Sequence, residues 1–355
     1  MKKVILTFLR IAAFFGVGLT ILILLYNSQN KAYQAQCQLD GIPAEQCSLI
    51  EKIITDFQNA DYFWIFIMLL CFMLSNVSRA IRWNMLLQPL GYRPKFSNAF
   101  HIIMVGYFAN LGLPRLGEIV RAGALSRYEK IPAEKVMGTV VADRAIDVIS
   151  LLLFVGLAFF LQFDTLWGWL SENAQIGKNA EGENSSLPWI LLGMLLLLSG
   201  LGFVFRKRII ASSFAQKVLG LVKGFYEGIT SVKRVEKRGW FVFHSIFIWV
   251  MYYLMAYVCF FAFEPTSHLS PLAGLMVFVF GAFGIVIPSP GGMGTYHFLV
   301  MAALALYGVQ GADAFSFANI VYFAIQILGN ILFGLIGLIA LPFINKNYHP
   351  TPSVA

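Results

Sequence analysis

The stretch Asn110-Leu-Gly-Leu-Pro-Arg-Leu-Gly-Glu-Ile-Val-Arg121 decides how this chain is read. It sets Arg115, Glu118 and Arg121 among Gly112, Pro114 and Gly117, directly after the apolar run 98–113. Charge beside such a run is expensive in lipid and usually functional. At about 1.5 Å per residue the run covers roughly 24 Å, short of the roughly 30 Å hydrocarbon core. A single crossing would also put Arg115, Arg121, Arg127, Lys130, Lys135 and Arg144 on the opposite side from Arg93 and Lys95. The positive-inside rule opposes that split. Residues 98–127 are therefore predicted as a re-entrant hairpin from the cytoplasmic side, bent near Gly112, Leu113 and Pro114. Non-helical backbone at that depth must be buried in protein or line a wet cavity.

Over 355 residues, 58% hydrophobic and 12% charged side chains with mean hydropathy +0.72 exclude a soluble globular class. The expectation is an all-α, polytopic helical membrane protein forming a single membrane domain over 1–355. The net charge of +8 then marks cytoplasmic loops and anionic lipid rather than nucleic acid. The N-terminus, with Lys2, Lys3 and an apolar core, mimics a signal peptide. Arg10 interrupts the run and no small-residue cleavage site follows, so a retained first span is expected. Cys71 and Cys259 lie in apolar runs. Cys37 and Cys47 share a polar loop, where a disulfide forms if that loop is extracytoplasmic.

Charge then fixes the sides. Span one (8–26) starts inside; loop 27–61, with Asp40, Glu45, Glu51, Asp56 and Asp61 against Lys31 and Lys52, is outside. Span two (62–87) returns inside, closed by Arg79, Arg82 and Trp83. After the hairpin, span three (145–163) leads to an acidic outer loop, 164–187, containing an Asn184 glycosylation sequon. Span four (188–205) runs into Arg206, Lys207 and Arg208 and an amphipathic surface helix reaching Gly239. Span five (240–263) precedes the apolar region 271–308, broken at Pro288-Ser-Pro-Gly-Gly-Met-Gly294, which is either two crossings or a second hairpin. A final span (314–342) ends inside. About six full spans and two broken hairpins thus fall into halves 8–163 and 188–342, the hydropathy pattern of an inverted repeat.

Paired interrupted segments in such repeats point to a substrate site. Pro114 suits the first turn of a helix, whose amides and dipole would face the hairpin tip. Gly291, Gly292 and Gly294 after Pro290 would let a second helix start with bare amides nearby. Two such N-termini with Arg115 and Arg121 make an anion site. Glu118 is placed to hold those arginines or to bind a cationic group, and Asp143, Arg144 and Asp147, at the mouth of span three, to pair with each other or with the hairpin arginines. Asn110 and His297 flank the two breaks; His101 and His244 carry weaker signals. No metal-ligand spacing or nucleotide-binding loop occurs, so no cofactor and no ATP-driven pump is expected.

Taken together, Arg82-Trp83, Asn110, Leu113-Pro114-Arg115, Gly117-Glu118, Arg121, Asp143-Arg144, Asp147 and Pro290-Gly291-Gly292-Met293-Gly294 resemble a known family. It is the flippase-like integral membrane family that includes the membrane domain of bacterial lysylphosphatidylglycerol synthetases. The resemblance implies a protein that handles lipids or lipid-linked molecules, with translocation between leaflets as the activity. The chain departs from the family at Asp143, where Glu is usual, and at His297, where an acidic residue is frequent. Few residues follow the last span, so lysyl transfer by a soluble domain is not implied.

The leading expectation is a non-enzymatic translocase of the bacterial cytoplasmic membrane, with both termini cytoplasmic. It would bind an anionic lipid head group between the two hairpins. The sequence is compatible with a homo-oligomer. The alternatives are a lipid-phosphate hydrolase or transferase using Ser289 or His297 as nucleophile, and a small-solute secondary transporter.

Overall fold

In the computed structural model, residues 2–43, 47–113, 115–173, 235–287 and 289–350 are described, and no strand occurs among them. Helix α1 (Lys2–Leu39) contains the expected first span and runs on through the polar segment beyond Tyr26. No Gly or Pro interrupts that segment; the helix ends at Gly41, which takes φ +70°, and Pro43. Cys37 and Cys47 form a disulfide across this turn. Helix α2 (Leu49–Asn59) opens with Ser48 accepting from the Glu51 N–H, a cap that satisfies one of the orphan donors of a helix start.

Helix α3 (Tyr62–Leu87) is capped by Asp61 and lies antiparallel to α8 (Arg238–Val258). Trp64 stacks near Phe261 at one end of this pair, and Ser78 hydrogen-bonds His244 at 2.7 Å towards the other. Helix α6 (Ala133–Leu161) is followed by α7 (Phe163–Asn173). The last helix is continuous from α11 (Gly311–Phe323) through a π-helical stretch, Ala324–Leu332, to α12 (Phe333–Ile344). Among the described residues, four segments are long and apolar enough to cross a bilayer: Tyr62–Leu90, Ala133–Leu161, Arg238–Ala262 and Gly311–Ile344. Leu153, Phe160, Ile246 and Ile339 are exposed on them, as a lipid solvent requires. The protein is a multi-pass helical membrane protein.

Two hairpins of shorter helices sit among these spans. The first pairs α4 (Phe96–Gly112) with α5 (Leu116–Glu129), and the second pairs α9 (Pro271–Val286) with α10 (Thr295–Ala305). Close backbone contact closes both. A Cβ on Gly117 would collide with the Gly106 carbonyl oxygen, and one on Gly284 would stand 2.6 Å from the Tyr296 Cα. Small residues serve the same purpose throughout membrane helix packing, where apolar burial alone gives little drive. Gly334 and Gly337 likewise let α12 lie against Phe108 and the His101 carbonyl of α4.

Charge is sorted to the two ends. At the basic end the buried Glu129 accepts from the Lys95 N–H (3.1 Å), the Asn98 amide (2.6 Å) and the Tyr348 hydroxyl (2.9 Å), while Asn98 and Asn345 exchange hydrogen bonds. Burial and the Glu129 carboxylate push the Tyr348 phenol up to about 12, so it remains a donor. At the other end Lys52 of α2 bridges Asp56 (2.8 Å) and Asp313 of α11 (2.9 Å), and the Asp61 N–H bonds the Ala262 carbonyl.

Two boundaries differ from expectation. Helix α6 begins at Ala133 rather than near 145, so Asp143, Arg144 and Asp147 lie within a helix and not at its mouth. Segment 163–173 is helical, with Asp164 in its first turn, where a carboxylate complements the dipole. The expected span 188–205, most of the surface helix 206–239 and the Asn184 sequon fall outside the described residues.

A buried arginine–aspartate network as candidate functional site

Helix α3 carries a polar stripe in an otherwise apolar sequence. Ser75, Asn76, Arg79 and Arg82 are all buried, Arg82 completely. An unpaired ion in such a place costs several kcal/mol or more, so the stripe demands partners, and α6 supplies them. Asp143 Oδ1 accepts from Arg82 Nε (3.0 Å) and Nη2 (2.6 Å); its Oδ2 accepts from Arg79 Nη1 (3.1 Å) and, from α5, Arg121 Nη2 (3.3 Å). One turn on, Asp147 accepts from Arg82 (2.7 Å) and Arg79 (2.7 Å). Helix α8 adds the Tyr252 hydroxyl at 3.2 Å from Arg79 and the Ser245 hydroxyl at 3.5 Å from Arg82.

Arg121 is the least satisfied member. It is 1% exposed, with its guanidinium 4.4 Å from the Trp83 ring centroid. Its Nε and Nη1 have no hydrogen-bond partner, nor has Arg79 Nε. Arginine does not deprotonate in proteins, so the charge stays. Outward from this core, Arg144 pairs with Glu118 at 3.1 Å and lies 3.8 Å from Asp147. Both side chains of the Arg144–Glu118 pair are about a third exposed. On the same two helices Ile119, Val141 and Val148 are exposed. Four guanidinium groups thus meet three carboxylates, and the cluster carries an excess positive charge.

The two hairpin tips meet. A Cβ on Gly291 would stand 2.7 Å from Leu111 Cδ2, so the bare backbone of the second tip receives a leucine from the first. The second tip is otherwise enclosed. Tyr322 and Gln326, on the last helix, donate to the carbonyls of Pro290 (3.3 Å) and Gly291 (2.8 Å), and α1 presses Gly18 and Ile21 onto Pro290 and Gly294. Ser289 bonds the Thr295 hydroxyl at 2.8 Å. His297 is buried with its ring 4.7 Å from that of Tyr322. No Ser289–His297 hydrogen bond forms.

The model of the lysylphosphatidylglycerol synthase transmembrane region matches residues 48–344. The chain belongs to this family. It is also similar to two UPF0104 membrane proteins of archaea. The one from Methanocaldococcus jannaschii is 27% identical over 223 residues, 58% of this chain and 62% of that protein, so the chain spans under two thirds of that relative. The one from Pyrococcus horikoshii is 26% identical over 291 residues, 75% of this chain and 84% of that protein. No solved structure matches.

In this member of the lysylphosphatidylglycerol synthase transmembrane family, the expected site residues separate into two groups. Arg121, Asp143, Arg144, Asp147 and Glu118 come together. Glu118, however, pairs with Arg144 and not with the hairpin arginines. Arg115 is exposed at the tip with φ +65° and has no ion pair among the described residues. Asn110 braces the tip by accepting from the Gly117 N–H at 2.8 Å. Helix α5 starts at Leu116, later than a first turn at Pro114 would place it; Pro114 itself is outside the described residues. Pro290, Gly291, Gly292, Gly294 and His297 lie at the second tip, in a neutral, packed setting and not beside the arginines. The sequence reading places Arg79 only as a cation closing span two and gives Tyr252 no role, whereas both belong to the network. The polar stripe 75, 76, 79, 82 was the available signal.

Proposed function

We propose that the protein is a non-enzymatic translocase for lipid or lipid-linked head groups of a bacterial cytoplasmic membrane. The observation that carries this reading is the excess cationic charge of the Arg79–Arg82–Arg121 cluster. It is buried beside the first hairpin, and its outer pair, Arg144 and Glu118, is partly exposed on helices that also expose the apolar Ile119, Val141 and Val148. An anionic head group approaching from lipid would supply the missing countercharge while its acyl chains stay outside, lowering the cost of taking charge through hydrocarbon. The order α3, α4–α5, α6 recurs as α8, α9–α10, α11–α12, which supports an inverted repeat of the halves 8–163 and 188–342 with hairpins entering from opposite faces. In this reading the basic end, with Lys95, Lys130, Lys135 and Lys346, is cytoplasmic by the positive-inside rule. The Cys37–Cys47 disulfide then faces an oxidising exterior.

Reconstituted vesicles carrying a fluorescent anionic phospholipid test the proposal. Arg121→Ala and Glu118→Gln slow flipping at least tenfold while the protein stays folded. Unchanged rates in folded variants would overturn the assignment.

A further inference from the structure

An open groove of about 400 Å³ runs between α4, α5 and α12. Val105, Val120, Ala124, Leu338 and Leu341 line it, and Arg127 and Tyr128 stand at one end. Its α5 residues, 120, 123, 124 and 127, follow helical spacing on a different face from Arg121, Ala122 and Leu125, which are buried. The groove is therefore separate from the arginine–aspartate network. From Val120 to Arg127 the helix rises about 10 Å. Leu341 is one turn from Asn345, which belongs to the polar knot at the basic end. The groove thus runs from apolar depth up to the level of that knot.

At that level lies an unbalanced charge. Arg127 is exposed and has no ion pair among the described residues. The carboxylate two residues along, Glu129, is buried and already holds Lys95 N–H, Asn98 and Tyr348. Lys130 adds a second exposed cation. At Gly123, which is exposed, a Cβ would meet nothing within 4 Å, so the groove wall is open there.

We propose that this groove holds one acyl chain of an anionic phospholipid from the leaflet at the basic end, with the lipid phosphate against Arg127. Such a lipid would brace the first hairpin against α12. Native mass spectrometry of the purified full-length protein, supplied with equal phosphatidylglycerol and phosphatidylcholine, tests it. Wild type retains phosphatidylglycerol in preference. Gly123→Phe fills the groove and loses one bound lipid, and Arg127→Gln, at an exposed position, keeps the fold and loses the preference by about fivefold, the effect of roughly 1 kcal/mol per cation near anionic lipid. Should Gly123→Phe fail to fold, Arg127→Gln decides alone. Retention of the same number of lipids by Gly123→Phe, or unchanged head-group preference in Arg127→Gln, overturns the proposal. So would equal binding of glycerol phosphate without acyl chains.

Discussion

The α4–α5 and α9–α10 hairpins share a scaffold: two short helices, a tip rich in glycine and proline, and a glycine on one arm against the backbone of the other. They differ in what they present. The first brings Glu118 and Arg121 to a network of arginines and aspartates with an open rim. The second buries Ser289, Thr295 and His297, takes α1 on Pro290 and Gly294, and bonds its carbonyls to neutral side chains. Backbone shape alone therefore does not make the site. The difference comes from neighbours: the first hairpin packs beside the charged faces of α3 and α6, the second beside Tyr322 and Gln326.

The sharpest way to break the contrast is Asp143→Ala. It leaves Arg79, Arg82 and Arg121 without their shared acceptor, and removing one partner of a buried pair costs about 3–5 kcal/mol. Thermal unfolding in detergent should show a large loss, whereas His297→Ala in the second hairpin should cost clearly less. Next comes Gly117→Ala, which forces a methyl group into the Gly106 carbonyl; overpacking of this kind costs about 1–3 kcal/mol. Gly112→Ala, at a position with open space, is the control and should leave the unfolding temperature nearly unchanged.

A third expectation concerns transport. In the vesicle assay, Ser289→Ala should flip lipid at the wild-type rate while Arg121→Ala is slowed. Equal slowing by both would erase the distinction between the hairpins. The smallest effect is at Lys52. Burial pulls its ammonium down, and Asp313 and Asp56 more than offset this, so its pKa ends above the ordinary lysine value. The bridge contributes fully below the ordinary lysine range and is lost as pH rises through the raised value. The protection of α2 amides, relative to their intrinsic base-catalysed exchange, should therefore fall only in that alkaline range, and Lys52→Met should abolish the pH step.

Much of this was legible in the sequence. Proline and glycine at the first break, with basic residues kept to one side, point to a hairpin there, whereas at the second break the sequence leaves a hairpin and two crossings equally open. Arg121, Asp143, Arg144 and Asp147 were recognisable as a set because charges so near apolar runs need partners. Arg79 was harder: an arginine close to the end of an apparent span also reads as an interfacial anchor, and only the antiparallel approach of α6 places two carboxylates beside it. The start of α6 was set too late because Asp143, Arg144 and Asp147 look like loop residues until their partners are known. The partners of the second tip, Tyr322 and Gln326, lie more than 30 residues along the chain. Neutral side chains at that separation give no local signal.

The seat of Leu111 on Gly291 has a mechanical meaning. Among the described residues no hydrogen bond or ion pair ties one tip to the other; a methyl group rests against bare backbone. Such a joint has little friction: dispersion contacts amount to about 0.1–0.2 kcal/mol per atom pair and have no preferred direction. The two halves are held together away from the tips, by α3 along α8 with Arg79–Tyr252 and Arg82–Ser245, and by Asn98 with Asn345 and Lys52 with Asp313. Parting the two tips therefore breaks no hydrogen bond between them, and the seat of Leu111 acts as a dry bearing in a frame bolted together elsewhere.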